Sequence, residues 1–94
     1  MDRETAETIL HATMSEFRRR SYRELVSMLG RGQRREILAP DGTRFQVEVQ
    51  VVWDGPRDGP VRVIGAIDDG RARALKPLTT DFLLGPDGRF LDER

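Results

Sequence analysis

The chain has 94 residues with 16 basic and 16 acidic side chains, a formal net charge of +0 and a pI near 6.6. That length fits one domain with one modest core, since a chain this short buries only about 60 to 65% of its unfolded surface, and a neutral total charge is not tuned to polyanions. With no cysteine, a disulfide framework, a thiolate metal site and a cysteine nucleophile are all excluded.

Charged residues make up 34% of the chain and hydrophobic ones 37%, yet the apolar residues fall in periodic runs, which marks a folding sequence. Asp2 is placed to cap a helix whose start carries Glu4 and Glu7, where the positive end of the dipole favours acids. Ala6, Ile9, Leu10, Thr13, Met14 and Phe17 then recur at helical spacing and form a stripe that needs a partner surface. Ser21 to Glu24 has capping-box spacing, so either one helix bends near Arg20 or a second short helix begins. Gly30 and Gly32 stop both versions.

Beyond Gly32 the period changes to that of strands. Arg34 to Leu38 reads as a short strand, Ala39-Pro40-Asp41-Gly42 as a turn, and Thr43 to Trp53 as the antiparallel return. In that return Phe45, Val47, Val49, Val51 and Trp53 alternate with Arg44, Gln46, Glu48 and Gln50, so one face is buried and the other wet. The turn formers of 54–60 separate it from Val61, Val63, Gly65 and Ile67, and Asp68-Asp69-Gly70 reverses the chain so that Arg71 to Leu78 pairs back. In the tail, Gly85-Pro86-Asp87-Gly88 repeats the chemistry of the first turn, flanked by Phe82, Leu83, Leu84 and by Phe90, Leu91. Such short connections favour a meander, because a parallel return needs a longer crossover. The expected fold is therefore one α+β domain over residues 1–94, two-layered, with the N-terminal helix on a four- to five-stranded antiparallel sheet. Its core unites Ile9, Leu10, Met14, Phe17, Leu25 and Leu29 with Phe45, Val47, Val49, Val51, Trp53, Val61, Val63 and Ile67.

Residues 46–90, with Val49-Gln50-Val51-Val52-Trp53-Asp54, the run from Arg62 to Gly70 and the Pro77 to Phe82 stretch, resemble small bacterial α+β proteins of unknown function. The resemblance implies a stand-alone bacterial domain and brings no reaction, ligand or partner with it.

Few residues carry chemistry. Asp68 and Asp69, with Asp54 or Asp58, have the oxygen ligands of a hard-cation site or a hydrolase, but turn-forming acids explain them more simply. Glu7, His11 and Ser15 form a row on one helix face without any signal of an oxyanion hole. No glycine-rich strand-to-helix loop suggests a nucleotide, and no cofactor or metal is expected. The strongest asymmetry is basic: Arg18, Arg19, Arg20, Arg23, Arg31, Arg34 and Arg35 lie in eighteen residues whose only acid is Glu24. Such a cluster is a footprint for an acidic protein or a nucleic acid, or simply a solvated helix end. On the wet sheet face Val52 and Ile64 are apolar without need, marking either a contact patch or a surface covered by the C-terminal hairpin, and cover is the simpler account. No signal peptide is visible and no run nears the about 18 apolar residues of a membrane span, which points to the cytosol. The expected role is a non-enzymatic module that binds another protein through its sheet surface or its arginine-rich helix end. A nucleic-acid accessory protein using Arg18 to Arg35 is the alternative, and a carboxylate or metal-dependent hydrolase the third.

Overall fold

A computed structural model describes residues 2–70 and 77–91. Helix α1 spans Arg3–Arg18, and the Asp2 side chain caps it by accepting from the Thr5 amide. The chain breaks at Ser21 rather than bending: Ser21 caps a second helix, α2 (Tyr22–Val26), and Glu24 reaches back to the Ser21 amide, completing the capping box. Five strands follow, β1 (Gln33–Leu38), β2 (Arg44–Trp53), β3 (Val61–Asp68), β4 (Leu78–Leu84) and β5 (Phe90–Leu91), and every neighbouring pair is antiparallel in the order β1-β2-β3-β4-β5. The architecture is thus the expected α+β meander with its N-terminal helix on one face.

The two Pro-Asp-Gly turns use one solution. Gly42 donates to the Ala39 carbonyl and Gly88 to the Gly85 carbonyl, both at 2.9 Å, while Asp41 and Asp87 accept from the amides two residues on. Each turn ends on a glycine at positive φ, +90° at Gly42 and +82° at Gly88, where a side chain would be strained.

Alternation along β2 and β3 sends Phe45, Val47, Val49, Val51, Val61, Val63 and Ile67 to the helix side, all buried beside Ala6, Leu10, Met14 and Phe17. The helix crosses β3 and β4, and Gly65 is the reason it can lie so close. A β-carbon there would collide with the Met14 sulfur and stand 3.1 Å from Leu10 Cδ1. Leu25 brings α2 into the same core, and the Tyr22 hydroxyl donates to the Gly59 carbonyl at 2.7 Å, tying α2 to the β2–β3 loop.

Three features depart from expectation, the first and last because one helix is narrow over five strands. Ile9, Leu29 and Trp53 pack only partly buried at the margin of the core, whereas Phe82 and Leu84 on β4 enter it fully. The strand returning along β3 is Leu78–Leu84 and not Arg71 to Leu78, so Ile67 faces Leu78 and Val61 faces Leu84; residues 71–76 of the expected strand lie outside the described residues. Finally, the β4–β5 hairpin extends the sheet sideways instead of folding over it, which leaves Val52 40% exposed.

Phe17, with no exposed surface, is expected to cost about 3–5 kcal/mol on Phe17→Ala, a large part of the about 5–15 kcal/mol that holds a domain together. Trp53→Ala costs less despite the larger side chain, and Gly65→Val destabilises by about 1–3 kcal/mol through overpacking. Urea midpoints of the three variants measure that order.

Candidate interaction surface

The face of the sheet turned away from α1 has no helix on it among the described residues, and its layout follows from the strand register. Reading across the strands, Val52, Arg62, Leu83 and Leu91 form one row, Gln50, Ile64 and Asp81 the next, and Arg34, Glu48, Ala66 and Thr79 the third. Val52 and Leu91 are exposed, Ile64 and Ala66 half-buried, and Leu83 is buried. Arg62 stands in the middle of this apolar group. Its guanidinium is drawn to Asp54 at 3.0 Å and to Asp81, and its pKa is raised by the hydrogen bond to Asp54 and then by that to Asp81. The aliphatic stem therefore lies among Val52 and Leu83 while the charge is held at fixed points, an arrangement common at protein contact surfaces. Around the patch, Arg34 pairs with Glu48 at 3.3 Å and Arg44 with Glu36 at 2.8 Å, so the charged margin is already neutralised.

The seven-arginine cluster is divided by the fold. Arg34 lies on the open face and Arg35, one residue on, under the helix side, because neighbouring strand residues point to opposite faces. Arg35 donates to both Glu16 oxygens, at 2.8 and 2.9 Å, and its guanidinium stands 5.5 Å from the centre of the Phe17 ring. Arg20 stacks on the same ring at 4.3 Å, and Arg18 lies 4.4 Å from the Phe90 ring and 5.2 Å from that of Phe82. Four of the seven are thus engaged within the domain. Arg19, Arg23 and Arg31 are exposed and form no ion pair among the described residues.

The carboxylates imagined as one rim are separated. Asp54 follows Trp53, opposite Val61 at the start of β3, whereas Asp68 closes the far end of that strand, roughly 23 Å away at about 3.3 Å per residue. Asp54 serves Arg62, and Asp68 accepts from the Gly70 amide at 2.8 Å as a turn former. No group of three metal-ligating side chains occurs among the described residues. His11 is exposed and lines a groove of about 390 Å³ with Ser15, Arg18 and Asp81, but no hydrogen bond joins it to Ser15 or Glu7.

Leu38 and Leu91 on the open face were not singled out by sequence reasoning, and neither was the Arg62 clamp. The parity of β1 against β2 would have found Leu38, which shares a face with Arg44. For Arg62 no sequence signal exists, since its partners lie on two other segments. No helix is long and apolar enough to cross a membrane. No family model, curated protein or solved structure matches the chain, so the functional reading rests on this geometry.

Hydrogen bonds from Arg35 hold the Glu16 carboxyl below the usual carboxylate range, outweighing the opposing effect of desolvation, and the charges of Arg35, Arg20 and Arg19 add smaller contributions in the same direction as the hydrogen bonds. A depressed folded-state pKa contributes stability above the unfolded value, about 4.3 for Glu, and that contribution disappears as pH falls through the folded value. Melting temperature should therefore drop on acidification below about pH 4, and Glu16→Gln should lower it at neutral pH while flattening part of the acid slope. Thermal melts by circular dichroism across pH measure both.

Proposed function

We propose that this domain is a non-enzymatic interaction module that docks another protein on the open face of its sheet. The observation that carries the reading is the grouping of exposed Val52 and Leu91 and half-buried Ile64 around Arg62, over a buried Leu83, an apolar centre with a fixed cation and a neutralised charged margin. Such a margin stays hydrated as a polar rim with its charges already paired, while the exposed aliphatic groups gain by burial. The wide separation of the carboxylates supports leaving hydrolysis aside. Val52→Glu combined with Leu91→Glu touches exposed positions only, so the fold should keep its stability within about 0.5 kcal/mol. In affinity capture from the source cell's extract, a partner retained by the wild type and lost by this variant supports the open face; an identical set of bound proteins refutes it.

Nucleic-acid binding is the second reading, favoured by one observation, the three exposed arginines Arg19, Arg23 and Arg31, which form no ion pair among the described residues. Three phosphate contacts limit the salt dependence to a slope of about −3 in log K against log salt. Titration with duplex and single-stranded oligonucleotides over a salt series checks this, and binding that is absent or insensitive to salt removes the reading.

A further inference from the structure

Among the described residues β1 pairs with β2 alone and so forms one edge of the sheet, six residues long against two in β5 at the opposite edge. Which of its backbone groups are free follows from the first turn. The Ala39 amide donates to Thr43 at 2.8 Å, within the pair that continues the β1–β2 register, so Ala39, Ile37, Arg35 and Gln33 turn their peptide groups toward β2. Arg34, Glu36 and Leu38 accordingly present theirs outward. An unpaired row of this kind is a template for another strand.

We propose that this chain forms a two-fold dimer by antiparallel pairing of β1 with β1 of a second copy, with Arg34 opposite Glu36 of the other chain. The register is chosen by charge. Directly opposite residues must share a face, so the strand can slide only in steps of two. Sliding one step either way sets Glu36 against Glu36 or Arg34 against Arg34, both repulsive. In the proposed register each Arg34 and Glu36 exchange two backbone hydrogen bonds and pair their side chains, and the symmetry repeats this once. Because Arg34 already pairs with Glu48 and Glu36 with Arg44, a row of alternating sign runs across the seam: Glu48, Arg34, then Glu36 and Arg44 of the second copy.

Shape agrees with charge. The same register sets Leu38, which at 64% is the most exposed large hydrophobic residue among those described, opposite Gly32 of the second copy. Gly32, just before β1 and at φ +63°, has the Val49 carbonyl on the side a β-carbon would take, but it borders a cavity of about 280 Å³ lined also by Gly30, Arg31, Gln50, Val51 and Val52. A leucine entering from the other chain meets space there, and the two-fold provides the exchange twice. Only Arg35 faces its own copy, on the helix side, where Glu16 neutralises each guanidinium through two hydrogen bonds. Both helix layers then lie on one side, and the two open faces join into one continuous surface. The pairing uses the sheet edge and is independent of docking on that surface.

Sedimentation equilibrium from about 10 µM to about 1 mM tests the pairing. The wild type should show a reversible dimer, and Arg34→Glu and Glu36→Arg should each weaken it about tenfold or more, with circular dichroism unchanged. An equimolar mixture of the two variants should recover the dimer, because one chain then carries acids and the other bases at both facing positions. A wild type monomeric throughout, or a mixture no tighter than its components, overturns the proposal. So does a dimer that survives both substitutions and is broken by Val52→Glu with Leu91→Glu, since that contact would lie on the open face.

Discussion

Gly65 lies beneath α1 where any side chain would run into Met14 and Leu10, and this close seat of one helix on β3 governs the rest of the molecule. Burying the stripe of Ala6, Leu10, Met14 and Phe17 against the inner faces of β2, β3 and β4 is the main source of stability. It also sets a limit. A helix is about 10 Å across, while five strands at about 4.8 Å spacing span roughly 19 Å between the outer axes. One helix cannot roof that width.

The margins are therefore finished with arginine. Arg18 covers the outer strands by lying over Phe82 and Phe90, and Arg20 and Arg35 close on Phe17 from the other flank. Each stem shields apolar surface while the guanidinium remains in water or meets Glu16. Much of the basic run is thus used to complete a core that a short chain cannot complete with aliphatic residues alone. What remains outward, Arg19, Arg23 and Arg31, is a smaller cationic surface than the sequence suggests.

The same shortage of helix leaves the second face and the β1 edge open. On the face, cross-strand pairing gathers Val52, Ile64, Leu83 and Leu91 about Arg62. Along the edge, Arg34 and Glu36 alternate in sign while Arg35 turns inward to Glu16. Inward charge is a common means of keeping an edge from unspecific pairing, and alternating outward charge permits one register over its neighbours. An edge of this composition is selective rather than sealed.

Local pattern was sufficient for much of this. The alternation from Phe45 to Trp53, the Pro-Asp-Gly turns and the Ser21 capping box each depend on residues adjacent in the chain, and all three appear where the spacing put them. The returning strand was misplaced because Pro77 reads as a ladder terminus, whereas the pairing of Ile67 with Leu78 begins just after it. The open face of the sheet was legible only as the two unexplained apolar residues Val52 and Ile64. Its centre depends on Asp54, Arg62 and Asp81 meeting from three segments, and the division of the arginines depends on which strand face each one takes. Sequence alone determined the elements and their inward faces, because periodicity is a property of neighbours; tertiary structure decided which charges meet and which face stays bare, because both depend on the width of sheet one helix can cover.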